Sequence, residues 1–89
     1  MIKVERRNTK KFEVTVSELG SSTIHTVILD DDYYQSLTER KITKEDFIKK
    51  CFEFLLEREG KESILSSFNV KVINSYFPDF EQYIKVKIC

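Results

Sequence analysis

Between Thr23 and Glu59 the hydrophobic period changes from two to 3.6, and this change most constrains what the chain can fold into. The apolar run TIHTVIL, residues 23–29, reads as a strand, and Asp30-Asp31-Asp32 ends it. Aspartate is a good helix N-cap, and negative charge in a first turn favours the helix dipole. Tyr33, Tyr34 and Leu37 then give a short apolar stripe, which predicts a helix of two turns over 31–38. After a break from Thr38 to Ile42, Thr43 and Asp46 have capping-box spacing and open a second helix over 44–59. Phe47, Ile48, Cys51, Phe52, Phe54, Leu55 and Leu56 give that helix a wide apolar face, with Gly60 as the expected C-cap. A face this wide needs more cover than the short helix supplies.

Upstream, residues 12–18 alternate cleanly, with Phe12, Val14 and Val16 on one face and Glu13, Thr15 and Ser17 on the other. Leu19-Gly20-Ser21-Ser22 reads as a four-residue turn, so the predicted hairpin sets Glu18 opposite Thr23 and Val14 opposite Val27. A one-residue slip would separate the two apolar faces. Ile24 and Ile28 fall on the second face, which suggests a strand covered on both sides. The segment IKVER, residues 2–6, alternates like an edge strand, and IKVKI, residues 84–88, alternates in the same way at the other end. Further helices are expected over 62–68, with Ile64, Leu65 and Phe68 inward, and over 70–77, whose start also fits a strand and where Pro78 biases Phe77 away from helical geometry. The expected fold class is α+β. A small antiparallel sheet (11–18 and 23–29, with 2–6 and 84–88 as candidate additional strands) carries helices (31–38, 44–59, 62–68, 70–77) on one face.

At 89 residues the chain suits one domain, 1–89, and seven Phe with four Tyr supply large side chains for its core. The formal net charge is zero, which disfavours a protein built wholly around a polyanion. The charge is uneven, however. Lys3, Arg6, Arg7, Lys10 and Lys11 face only Glu5 in the first eleven residues, and the remainder is mildly acidic. Two cysteines, Cys51 within the helical pattern and Cys89 at the end, do not make a disulfide framework. No apolar stretch resembles a leader or a membrane span, so the chain reads as cytoplasmic with reduced thiols and no membrane partner.

Over residues 24–56 the order strand, short helix, turn, longer helix resembles the ribbon-helix-helix family of dimeric DNA-binding proteins. Thr43-Lys44-Glu45-Asp46-Phe47-Ile48-Lys49-Lys50 is similar to the start of that family's second helix. The resemblance implies that strands from two chains pair, and that Thr43 and Lys44 hold a DNA phosphate at the helix start. The family's strand offers polar or basic residues to base edges. Here the two faces offer Ile24, Thr26 and Ile28, or His25, Val27 and Leu29. The segment Glu62–Ile84, with Tyr76-Phe77-Pro78 at its centre, also looks like small bacterial proteins, a likeness that implies no function.

Signals for chemistry are sparse. His25 is the single histidine, and a zinc site would need further ligands at suitable spacing. It is expected to be a strand residue with a satisfied ring. The Asp30-Asp31-Asp32 run lacks the glycine and distal glutamate of a calcium loop and is read as helix capping. Cys51 is expected to be an inert core thiol, and Cys89 an exposed one able to form an adventitious disulfide dimer. No nucleophile elbow, P-loop or dinucleotide fingerprint is present, so neither an enzyme nor a cofactor or metal is expected. Two surfaces stand out. A basic arm (Arg6, Arg7, Lys10, Lys11), joined by Thr43 and Lys44, would serve phosphate contact. The aromatic set Tyr76, Phe77, Phe80 and Tyr83 would pack over the long helix or serve protein contact. The expected function is a non-catalytic protein-interaction or regulatory module, its partner another protein or a second copy. The alternative is a ribbon-helix-helix-like DNA-binding regulator or antitoxin.

Overall fold

The computed structural model describes residues 1–88, so the expectation for Cys89 lies outside the described residues. Four strands form one sheet in the order β1-β2-β3-β4: β1 (Ile2–Arg6), β2 (Lys11–Glu18), β3 (Ser21–Ile28) and β4 (Ser67–Asn69). The helices are α1 (Asp31–Thr38), α2 (Lys44–Leu56), α3 (Ile73–Tyr76) and α4 (Phe80–Ile88). The α+β class stands, and the helices pack against the face that buries Phe12, Val14, Val16, His25 and Val27. The first three strands are antiparallel, but β4 runs parallel to β3, so the sheet is mixed.

The β2–β3 hairpin is tighter than its sequence suggests. Glu18 pairs with Ser21, Val14 with His25 and Phe12 with Val27, two steps from the predicted register. The turn is the two-residue loop Leu19-Gly20, whose φ angles are 52° and 82°. Two consecutive positive φ values match the right-handed twist of the flanking strands, and the second falls on the glycine. A shift of two keeps side-chain parity, so the inward set survived the error in register. The outer face is open rather than covered, since Ile24 is 58% exposed.

Thr43 caps α2 as expected, its Oγ1 accepting from the Asp46 N–H at 3.1 Å. Asp30 occupies the N-cap position of α1 without a side-chain cap bond, because its carboxylate is turned to Asn69 and Lys71 instead. At roughly 100° per residue, the buried side of α2 spans about 160°, with Phe52 and Phe54 at its opposite margins. Phe52 meets His25 and Phe68 beside the sheet, while Phe54 meets Phe77, Phe80 and Tyr83 from the C-terminal segment. Two different layers thus cover the wide face.

Three expectations for the second half are corrected. First, α2 stops at Leu56 and not at 59, and Gly60 is extended (φ −72°, ψ 159°) rather than a C-cap. Arg58 turns back there, its guanidinium 3.7 Å from the Phe54 ring centre and 2.7 Å from Asp79. Secondly, 62–68 is not a helix. A 3₁₀ turn over Lys61–Ser63 leads into extended chain, and the Thr26 N–H donates to the Ser66 carbonyl at 2.8 Å. The unpaired outer edge of β3 supplies hydrogen bonds that outweigh the local helical pattern. Thirdly, residues 84–88 are the second half of α4, not a strand. Their alternation also satisfies a spacing of four, which sets Phe80, Ile84 and Ile88 on the packed face and leaves Val86 61% exposed. Of the two readings open for 70–77 the chain takes the helical one, a 3₁₀ turn over Val70–Val72 followed by α3, and it ends before Phe77-Pro78.

Candidate functional site: an apolar groove beside the short parallel strand

Where α2 ends, three changes of direction leave an opening. The Lys61–Ser63 turn carries the chain back toward the sheet, β4 lasts only three residues, and Phe77 with Pro78 swings α3 away from α4. The floor of the opening is Leu55, Ile64 and Ile73, all buried. Its walls are Phe68, Val72 and Phe77, half-buried, with Leu65 and Tyr76 standing at the mouth 49% and 66% exposed. Glu59 and Ser63 supply the polar rim. The volume is about 200 Å³. Ligand pockets for drug-sized molecules or cofactors usually hold roughly 300–1,000 Å³. This groove is the size of one or two large side chains.

Its lining carries one charged side chain, Glu59. Glu59 lines the mouth, and neighbouring Glu62 reaches solvent with Lys61 Nζ 2.8 Å from its carboxylate. That ammonium holds the Glu62 carboxyl below its ordinary value. Arg58 is diverted to Asp79 and to the Phe54 ring, and so does not balance the rim.

Of the four aromatics given two readings, Phe77, Phe80 and Tyr83 pack over the long helix against Phe54, while Tyr76 stands exposed. Tyr76 and Phe77 line the groove, whereas Phe80 is fully buried and cannot face a partner. Tyr83 packs edge-on against Phe54 and donates from its hydroxyl to Glu57 at 3.1 Å. Leu65 and Phe68 had been expected inward on a helix; Leu65 faces out instead. Leu55, Ile64 and Phe68 read as core from their periods, but a helix over 62–68 hides the opening between them. The serines at 66 and 67, poor company for a buried helix, were the available signal.

The basic arm is partly neutralised within the chain. Arg7 pairs with Glu13 at 2.6 Å, and the Arg6 guanidinium lies 5.9 Å from the Phe12 ring centre. Lys44 donates to the Asp31 carboxylate and, at 2.9 Å, to the Thr9 carbonyl, which holds the Asp31 carboxyl below its ordinary value. With the Thr43 hydroxyl bound to its own helix, the start of α2 is engaged in intramolecular contacts. Lys10 and Lys11 extend from the β1–β2 connection without an ion pair among the described residues.

His25 is buried, with Nδ1 2.8 Å from the Leu65 carbonyl and Nε2 2.8 Å from Thr23 Oγ1. Cys51 is fully buried, and burial pushes its thiol well above the ordinary range, which leaves it protonated and unreactive. Among the described residues no three His, Cys, Asp or Glu side chains gather as a metal site would require, and no helix is long and apolar enough to cross a membrane. Comparison of the chain with protein-family models, with curated proteins and with solved structures gave no match.

Proposed function

We propose that this protein is a non-catalytic interaction module, which receives an apolar side chain from a protein partner in the groove between the end of α2, β4 and α3. The observation that carries the reading is Leu65 and Tyr76, half and two-thirds exposed over a floor of buried Leu55, Ile64 and Ile73. Leaving large apolar side chains at the mouth of a concave apolar site costs solvation unless something covers them. The Glu59 rim defines the occupant further. A segment with one aromatic or branched aliphatic anchor beside a lysine or arginine complements both floor and rim. The alternative, a regulator reading DNA with a ribbon shared between two chains, would need a free edge on β3. Here β3 is hydrogen-bonded to β2 on one side and to β4 on the other, and so the groove carries the proposal.

Selection from random displayed peptides, followed by titration of a synthetic winner, tests this reading. Enriched peptides should share an apolar anchor adjacent to a cation. Tyr76→Ser and Leu65→Ser should each weaken binding by about 10-fold or more, the loss expected of an anchor contact, with an unchanged circular dichroism spectrum. Peptides that bind both variants as tightly as the native chain would remove the groove from consideration, as would the absence of any enrichment.

A further inference from the structure

The opposite edge of the sheet carries a second interface. β1 pairs only with β2, so its outer side has no neighbouring strand. The Ser17 N–H donates to the Met1 carbonyl at 2.9 Å, and the Arg7 N–H to the Lys11 carbonyl at 2.8 Å. Antiparallel pairing alternates, so Lys3 and Glu5 also turn their backbone groups toward β2. Ile2, Val4 and Arg6 therefore turn theirs outward. Natural edges are blunted by proline, a bulge or charged side chains; β1 has neither proline nor bulge, and it carries Lys3 and Glu5, of opposite sign, on the open face and Arg6 on the packed face. Here Ile2 and Val4 are half-buried, regular strand residues lying over the core.

We propose that β1 pairs with β1 of a second copy across a twofold axis through Val4, giving a continuous eight-stranded sheet. The side chains select both the partner and the register. An axis through Val4 sets Val4 against its equivalent on the packed face, and sets Lys3 opposite Glu5 of the other copy twice over on the open face. These become non-hydrogen-bonded pairs, where side chains approach most closely. An axis through Lys3 opposes two lysines, one through Glu5 two glutamates, and one through Arg6 two guanidiniums. An axis through Ile2 sets Lys3 opposite Met1 rather than a carboxylate. Within one chain neither Lys3 nor Glu5 makes an ion pair among the described residues, and Glu5 stands directly opposite Glu13 on β2. Glu13 is paired with Arg7, and a lysine from the second copy supplies the cation that Glu5 lacks within its own chain. The backbone groups of Ile2, Val4 and Arg6 then pair with those of Arg6, Val4 and Ile2 in the other copy, which leaves none of the three orphaned. The two β4 strands end up at the outer edges, seven strand spacings or about 34 Å apart, so each groove remains open and the assembly is bivalent.

Sedimentation velocity of the full chain over a range of concentrations tests this arrangement. The native chain should show a concentration-dependent dimer. Lys3→Glu alone and Glu5→Lys alone should each raise its dissociation constant by about 10-fold or more, since two attractive cross-strand pairs become repulsive. The double variant, Lys3→Glu with Glu5→Lys, should restore the native constant, a rescue that no loss of fold can mimic. A native chain monomeric throughout the range overturns the proposal. So does a dimer indifferent to the single changes or not rescued by the double one. Tyr76→Ser should leave the dimer intact; a dimer lost in that variant places the interface at the groove instead.

Discussion

His25 Nδ1 lies 2.8 Å from the main-chain carbonyl oxygen of Leu65, forty residues away, and this bond joins β3 to the segment that enters β4. A carbonyl can only accept, so Nδ1 carries the proton. In the neutral ring Nε2 then accepts from the Thr23 hydroxyl at 2.8 Å. The ring also packs on Phe52, with 5.4 Å between centroids. The single histidine is thus a structural joint that sets where the chain at Leu65 approaches the sheet, and hence one side of the groove.

Replacing His25 with alanine leaves the Thr23 hydroxyl and the Leu65 carbonyl without their partner and opens space beside Phe52. Each orphaned polar group costs about 1–3 kcal/mol where water cannot reach it. Chemical denaturation should show a loss of about 2–4 kcal/mol, summed from the polar and packing contributions. Amide exchange should accelerate first at Thr26, whose N–H depends on the Ser66 carbonyl. A loss confined to the ends of the chain would contradict the assigned role.

Phe54 organises the other margin of α2. Its ring has Tyr83 at 4.9 Å, Phe80 at 5.2 Å and Phe77 at 5.9 Å between centroids, all edge-on, with Arg58 stacked above it. Edge-to-face pairs add to the area that is buried, and a stacked cation adds further. Phe54→Ala should cost about 3–5 kcal/mol and collapse the near-ultraviolet dichroism of the aromatic cluster. Val86→Ala, a surface change on α4, the helix that supplies Phe80 and Tyr83, should alter stability by less than about 0.5 kcal/mol.

The contrast between these two regions also marks what was legible in the sequence. Phe12, Val14 and Val16 announced β2 because strict alternation has one simple structural solution, and Thr43 announced the start of α2 through its spacing to Asp46. The stretch Ser63–Asn69 did not announce β4, since a three-residue strand is defined by a partner far away in sequence and not by its own period. Ile84, Val86 and Ile88 satisfied two periods at once, and only the packing of α4 against α1 and α2 selected the helix. Tyr76 and Phe77 stood out in the sequence only as members of an aromatic set with Phe80 and Tyr83. Leu65 and Phe68 were not legible as groove residues, because an incorrect element pointed them inward. The basic arm was visible as charge, but its partners Glu13 and Asp31 came from topology.

The Leu19-Gly20 turn holds a removable strain. Leu19 is fully exposed and has φ +52°, a region that a leucine side chain adopts at a cost, and its apolar side chain gains nothing from burial in return. Leu19→Asn should stabilise the chain by about 0.5–1 kcal/mol, since asparagine tolerates left-handed geometry at this turn position. Gly20→Ala should do the reverse, destabilising by about 1 kcal/mol despite open space around a new Cβ. Paired thermal melts of the two variants check both signs at once.

The two tyrosines that donate to carboxylates give the fold an alkaline limit. Burial first, and then the Glu81 carboxylate that its hydroxyl contacts at 3.1 Å, push the Tyr33 phenol far above its ordinary 10.0. Tyr83 is raised from the same value, again by burial first and then by its bond to Glu57, with nearby Glu53 adding and Arg58 opposing. A phenol whose folded pKa exceeds its unfolded one contributes stability that is whole below the unfolded value. That contribution drains as pH climbs from there toward the folded value, because the unfolded chain ionises first. Denaturation midpoints should therefore hold steady on approach to 10.0 and fall beyond it. Tyr33→Phe cannot ionise, and it should lose the bond to Glu81 at neutral pH while flattening the alkaline decline. A profile equally steep in that variant would assign the decline to other groups. Equal sensitivity in Tyr33→Phe and Tyr83→Phe would show instead that the α1–α4 contact and the Glu57 contact open together.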